Sequence, residues 1–468
     1  MILAIDQGTT GTTCLVLDEE LRVLGRGYRE VPQHFPQPGW VEHDAEEIWT
    51  GVQAAVDEAI RAAGTPALEA IGIANQRETT VLWSRRTGRP VAPAIVWQDR
   101  RTAARCRELP TGLIRDRTGL LPDPYFSATK LEWLLGRVDG EADELAFGTV
   151  DSWLAWKLTG EHVTDRTNAS RTLLYSLDAD AWDDELLALF AVPRRVLPRV
   201  VGSAEVVADA DLAGRRVSLA ALAGDQQAAL VGQGCFDPGE AKATYGTGSF
   251  VLTHVGESAE PPPDGLLKTA AAPSGFALEG AVLVSGAAVQ WLRDGLGLLA
   301  DADETEAIAT SVDSSDGVVF VPALAGLGSP HWDPDARGLI AGITQRTTRA
   351  HLVRATLEAI AFQVADVVEA VPLALRTLRA DGGAAANGFL MQFQADVLGL
   401  PVEVAVEREA TALGAAVLAG LAVGTWRDPA EVRRLLCSGR VYEPQMSRDE
   451  AETLRDAWRR AVRRTLLR

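Results

Sequence analysis

Short apolar runs broken by glycine- and threonine-rich turns set the plan of this chain. Residues 2–5 are apolar and read as a strand, followed by the turn Asp6-Gln7-Gly8-Thr9-Thr10-Gly11 and a second apolar strand at 14–17. A third, residues 21–24, follows the turn at Asp18-Glu19-Glu20. The same plan recurs in the second half, where residues 241–244 lead into Tyr245-Gly246-Thr247-Gly248-Ser249 and then into 250–253. Two strand–turn–strand units, one near the start of each half, predict two related lobes whose turns face a shared cleft. A chance likeness between two hairpin turns is the alternative.

Between these units the pattern is mixed α/β. Strands are predicted at 70–74 and 79–83 around the turn Asn75-Gln76-Arg77-Glu78, and again at 91–97. Helical spacing appears at 130–135, at 351–368 and at 387–398, where Leu390, Phe393 and Val397 fall three and four apart. The last segment opens with a capping box, Ser447 and Glu450, and carries Leu454, Trp458, Val462 and Leu466 on one stripe. That stripe is either an internal packing face or a seat for a partner helix. The proline run at 261–263 marks a loop.

Composition narrows the class. At 468 residues the chain is long enough for two to four domains, and 47% hydrophobic with 23% charged residues is globular. Acidic residues outnumber basic ones 64 to 45, giving a net charge of −19, which argues against a nucleic-acid partner. An acidic protein can still hold an anion through converging backbone N–H groups. Cys14, Cys106, Cys235 and Cys437 are far apart, a pattern of reduced thiols and not of a disulfide frame or zinc site. The opening MILAIDQ has no basic leader, and the apolar stretch 281–300 is interrupted by Gln290, Arg293 and Asp294. A cytoplasmic protein without a membrane span is the expectation.

The candidate chemistry lies in the turns. A phosphate needs several N–H donors and no intruding side chains, which Gly8-Thr9-Thr10 and Gly246-Thr247-Gly248 supply; neither is a Walker A loop. A third glycine site, Asp381-Gly382-Gly383, precedes the helix from Asn387 and offers bare backbone to a flat ring. Asp6, at the end of the first strand, could hold Mg²⁺ through water. Asp225 opens a helix-like run and is either an N-cap or a base beside a substrate hydroxyl. Arg77 and Glu78 at a turn tip, with Trp97 and Tyr125, read as surface charge and core aromatics or as the polar and aromatic walls of a small-molecule site. The six histidines show no metal-ligand or triad spacing.

Many long segments, in order along nearly the whole chain, resemble the FGGY carbohydrate kinases, and among them the branch acting on glycerol. They include AIDQGTTGTT from Ala4, PGWVEHD from Pro38, NQRETT from Asn75, AIVWQDRRT from Ala94 and DPYFSATKLEWL from Asp123. Further on come AGDQQAALVGQ from Ala223, ATYGTGSF from Ala243, GLGSPHWDPDARG from Gly326 and DGGAAANGFLMQFQADVLG from Asp381. The resemblance implies an α/β fold of two actin-like ATPase (RNase-H-like) lobes around a central nucleotide and substrate cleft, divided as residues 1–230 and 231–468. It implies ATP-dependent phosphorylation of glycerol to sn-glycerol 3-phosphate, the first step of glycerol catabolism. Arg77, Glu78, Trp97, Tyr125, Asp225, Gln226 and Phe250 would then bind glycerol, with Asp225 as general base. Thr9, Thr10, Thr247, Gly286, Gln290, Gly383 and Asn387 would contact the nucleotide, and Asp6 would support Mg²⁺.

Relatives are often oligomers, but no interface is legible here. The rivals are a family member acting on a tetritol or ketopentose and a non-catalytic actin-like nucleotide switch. Three departures stand out. Thr13 occupies a position where many relatives carry arginine. The segment Leu212-Ala213-Gly214-Arg215-Arg216-Val217-Ser218 lacks both the arginine loop that binds fructose 1,6-bisphosphate and the phosphorylated histidine of some relatives, so neither regulation is expected.

Overall fold

The computed structural model describes residues 1–467 except 139–140, 213–214, 258–259, 407–408 and 437. Ala213, Gly214 and Cys437 therefore lie outside the described residues. The first apolar runs form a meander of β1 (Ile2–Gln7), β2 (Gly11–Leu17) and β3 (Val23–Glu30). The third strand starts two residues later than its apolar run. Asp18 Oδ1 accepts the N–H groups of Glu20 and Arg22 at 3.1 and 2.9 Å, which draws 18–22 into the turn. Gly25 and Gly27 lack the Cβ atoms that would strike the Ala59 and Ala55 carbonyls, so α1 (Ala45–Ala62) lies close on this sheet.

β4 (Ala70–Asn75) joins parallel to β1, and the hairpin β5 (Ala204–Leu212) and β6 (Arg215–Gly224) completes the order β5-β6-β4-β1-β2-β3. After α2 (Asp225–Gly232) the plan repeats. β7 (Glu240–Tyr245) and β8 (Ser249–Gly256) make a hairpin. β9 (Leu267–Ala270) and β10 (Phe276–Val282) follow antiparallel on one side. On the other side, following α3 (Arg349–Ala370), β11 (Thr377–Asp381) lies parallel to β7. α4 (Gly388–Leu398) then leads to β12 (Val402–Ala405), parallel to β11.

The two sheets share one five-strand order, β3-β2-β1-β4-β6 in the first and β10-β8-β7-β11-β12 in the second, with the same senses. This is the RNase-H-like plan, and the recurrence expected from the sequence is a structural repeat.

The chain then doubles back. α5 (Ala410–Val423) packs on the first sheet and on α2. Gly72, Gly232 and Gly414 make this possible, since a Cβ at any of them would meet the backbone of Ala415, Ala410 or Ala228. β13 (Ser438–Tyr442) closes the second sheet, and α6 (Arg448–Leu466) buries Trp458 and Val462 in the core of α3 and α4. The C-terminal stripe is thus an internal packing face. The expected strand at 91–97 is reduced to Ala94–Ile95, because Pro90 and Pro93 supply no ladder N–H. Among the described residues no helix is long and apolar enough to cross a membrane.

Candidate active site

β4 ends at Asn75, whose amide exchanges two 3.0 Å hydrogen bonds with Asn168. Gln76 Nε2 donates to Gln7 Oε1 at 3.1 Å and to the Gly8 carbonyl at 3.2 Å, tying the next residues to the first glycine turn. The chain then turns through Glu78 in left-handed backbone, φ 62°. Arg77 and Glu78 are consequently buried, 3% and 1% exposed, which removes the reading as surface charge.

Arg77 has every nitrogen engaged. Nη1 and Nη2 fork onto Glu279 at 2.5 and 3.2 Å, Nη2 lies 3.5 Å from the Tyr125 hydroxyl, and Nε stands 3.3 Å from Asp225 Oδ1 and 3.8 Å from Glu78 Oε1. Gly224 is required here, since a Cβ would meet the Arg77 stem.

Glu78 Oε1 accepts from Arg171 Nε at 2.5 Å, and Arg171 also reaches Glu279 at 3.0 Å while lying over the rings of Tyr125 and Phe126. Burial pushes the Glu78 carboxyl above its ordinary range, although Arg171 and Arg77 oppose it. Glu279 is also desolvated, but Arg171 and Arg77 override burial and hold it at about 2.

Asp225 is the first residue of α2. Gly224 is the N-cap, and Asp225 Oδ1 accepts the adjacent Gln226 N–H, at 2.7 Å, not an N–H further into the helix, so among the described residues it does not cap the helix. Its side chain is 29% exposed, open on one side while Arg77 backs it on the other. Burial raises its pKa, with Arg77 and Lys242 pulling it back. Gln226 accepts from the buried Lys242 ammonium, which also donates to Thr244 Oγ1 at 2.8 Å. Trp97 stacks edge-on against Tyr125, centroids 5.5 Å apart, and its indole N–H donates to Thr9 Oγ1 at 2.8 Å. One side chain thus joins the aromatic wall to the first glycine turn. Phe250 is half-buried against Leu230, Cys235 and Leu252.

Across the second sheet a cavity of about 580 Å³ is lined by Thr247, Gly286, Gln290, Gly383 and Asn387. Five of the seven residues expected at the nucleotide therefore share one space. Gly382 (φ 89°) turns against Tyr245, while a Cβ on Gly383 would meet nothing within 4 Å, so Gly383 presents bare backbone to the cavity. Asn387 also does structural work: its Oδ1 caps α4 through the Leu390 N–H at 2.9 Å, and its Nδ2 donates to Thr305 at 3.1 Å. Thr9 and Thr10 do not line this cavity. They sit on the β1–β2 turn, with Thr10 exposed.

Asp6 ends β1. Among the described residues no hydrogen bond or ion pair reaches its carboxylate, and burial, then Asp225 and Glu409, push its pKa well up. A half-buried carboxylate with no partner among the described residues, whose pKa Asp225 and Glu409 raise, is chemistry that fits a cation. No group of three or more ligating side chains occurs among the described residues, so any such ion would need other ligands. Thr13 lies buried opposite Asp6 and beside Tyr28. On the same face, two residues back along β3, Arg26 pairs with Glu409 at the start of α5.

Arg171, Glu279 and Lys242 were not singled out from the sequence. Only the fold shows that Arg171 is buried beside Glu78, Lys242 beside Gln226 and Glu279 beside Arg77.

Models of the FGGY family of carbohydrate kinases match the chain, the N-terminal domain over residues 1–232 and the C-terminal domain over 241–423. It is 52% identical to a glycerol kinase of Dechloromonas aromatica, over 99% of this chain and 97% of that one. It is 50% identical to a glycerol kinase of Rhodopirellula baltica, over 99% and 90%. The crystal structure of Plasmodium falciparum glycerol kinase with ADP superimposes with a TM-score of 0.95 at 36% identity, covering 100% of this chain and 98% of that one.

Proposed function

Because the chain belongs to the FGGY family of carbohydrate kinases, we propose that it transfers the γ-phosphoryl group of ATP to glycerol, giving sn-glycerol 3-phosphate at the entry to glycerol catabolism. The observation that carries this reading is the convergence of Arg77, Glu78 and Asp225, with Arg77 Nε 3.3 Å from Asp225 and 3.8 Å from Glu78. The relatives named glycerol kinase, matched over nearly their whole length, give the polyol. In this reading residues 1–230 carry the glycerol side and the first phosphate turn, and 231–468 carry the second phosphate turn and the adenosine side.

Arg77 and Glu78 hold two hydroxyls of the triol through charge-assisted hydrogen bonds, and Trp97, Tyr125 and Phe250 wall its carbon chain. Asp225, joined by Gln226, faces the third hydroxyl, a primary alcohol, and accepts its proton as the oxygen attacks phosphorus. The N–H groups of the Gly8-Thr9-Thr10 and Gly246-Thr247 turns hold the phosphate chain from both sides. The adenosine occupies the cavity lined by Gly286, Gln290, Gly383 and Asn387. Asp6, whose carboxylate has no partner among the described residues, is the residue that would hold Mg²⁺, and such an ion would supply charge neutralisation at the phosphate oxygens. Positioning of this kind contributes roughly 7–11 kcal/mol in favourable intramolecular models.

The test is glycerol-dependent ADP release by wild type and by Asp225→Asn. Loss of at least about 10²-fold in kcat with nucleotide binding retained is expected. Near-normal turnover removes Asp225 from the role of base, and ADP release indifferent to glycerol removes the substrate.

A further inference from the structure

The charged groups of the glycerol site, Arg77, Glu78 and Asp225, follow β4 or open α2, but the residue that fixes Arg77 comes from the second sheet. Glu279 stands on β10, between Leu252 of β8 and Leu267 of β9, and is fully buried. Its two oxygens take a fork from Arg77, at 2.5 and 3.2 Å, and a third bond from Arg171 at 3.0 Å. Arg171 in turn grips Glu78. A planar guanidinium held at both Nη atoms cannot rotate about its stem, so the direction of Arg77 Nε, the edge facing Asp225 and Glu78, is set by Glu279.

The charges also balance. Arg77, Arg171 and Lys242 face Glu78, Asp225 and Glu279, three of each sign with five of the six buried. Removing one member leaves an uncompensated charge in a region with little water, and the remaining side chains must rearrange.

Building on the glycerol reading above, we infer that Glu279 is the positioning residue for polyol recognition: from the second sheet it orients Arg77 directly and Glu78 through Arg171. The hydroxyl pattern of a small polyol is then read correctly only while β10 is docked against the Arg77 turn. A group that acts on hydroxyl recognition leaves its mark on specificity. A site built to hydrogen-bond a hydroxyl rejects an analogue lacking it by roughly 10⁴–10⁵, and loosening its donors erodes that preference first. Neither Arg77 nor Glu78 has a contact into the nucleotide cavity, so nucleotide affinity is expected to stay constant.

The experiment compares wild type with Glu279→Gln, which keeps shape and one acceptor but removes the charge. KM for glycerol, KM for ATP and the preference for glycerol over propane-1,2-diol are measured, with a melting curve on each protein. The expected result is a KM for glycerol raised at least about tenfold and the preference reduced at least about tenfold, with KM for ATP within about twofold. If Glu279→Gln does not fold, Arg171→Lys carries the same test: it keeps the charge but loses the two-pronged grip, and KM for glycerol is expected to rise at least about threefold.

A folded variant with unchanged KM for glycerol and unchanged preference overturns the inference while leaving the glycerol reading intact. Wild-type protein that releases no ADP in response to glycerol overturns both.

Discussion

At the scale of single residues, the carboxylates of the site are shielded from water to different degrees, Glu78 fully and Asp225 in part. Asp225 is desolvated, and its pKa is raised for that reason first; Arg77, Lys242 and the Gln226 N–H offset part of the rise, while Glu279 adds to it. A base must be ionised to accept a proton, so raising its pKa moves the loss of activity on acidification upward. The acid limb of kcat/KM for glycerol is therefore expected above the ordinary aspartate value of about 3.9. A pH–rate profile checks this, and activity that stays flat down to about pH 4 contradicts it. The residual turnover of Asp225→Asn should lack the limb. A limb that survives in that variant belongs to Asp6 or Glu78, whose carboxyls burial also raises.

At the scale of elements, neighbouring residues in one turn carry different burdens. Gly382 and Gly383 link β11 to the segment before α4. Gly382 has φ 89°, and a Cβ there would lie 2.5 Å from the Tyr245 carbonyl oxygen; Gly383 faces open space. Gly382→Ala is expected to destabilise the fold by about 1–3 kcal/mol, through strain and overpacking. Gly383→Ala should melt as wild type does, whereas Gly383→Val should raise KM for ATP with little change in KM for glycerol. Melting curves and paired KM values separate the two positions, and equal destabilisation by both alanines contradicts the assignment.

The sequence made the turns legible because glycine and threonine mark them locally, and the repeat of β1–β2 in β7–β8 followed from the turns. The β5–β6 hairpin and the docking of α5 on the first sheet were not legible. α5 is apolar all round, without a face to point it, and its seat depends on Gly72, Gly232 and Gly414, which are far apart in the chain. For the same reason Glu279 escaped notice. An acid inside an apolar strand run acquires meaning only when two arginines from turns elsewhere in the chain reach it.

At the scale of the whole molecule, the proposed function asks a chain with a net charge of −19 to bind an anion. The cavity proposed for the nucleotide does not compensate for it. Of the ionisable residues that line the space, Arg293 is paired with Asp294, Glu306 accepts the Gly388 N–H, and Asp303 adds a further acid. Attraction must therefore come at short range, from turn N–H groups and the cation associated with the phosphates, while the approach is opposed at long range.

Screening acts on the second term more than on the first, since the Debye length falls from about 30 Å at 0.01 M to about 8 Å at 0.15 M salt. Backbone donors in contact with phosphate are little affected over that interval. With Mg²⁺ saturating throughout, kcat/KM for ATP is expected to rise, by about twofold or more, as monovalent salt increases from about 0.01 to 0.15 M. The value for glycerol, which is uncharged, should stay level over the same series. A fall for ATP would mean that local cations, with Arg26 near the Asp6 end of the cleft as the first to test by Arg26→Gln, outweigh the field of the whole chain.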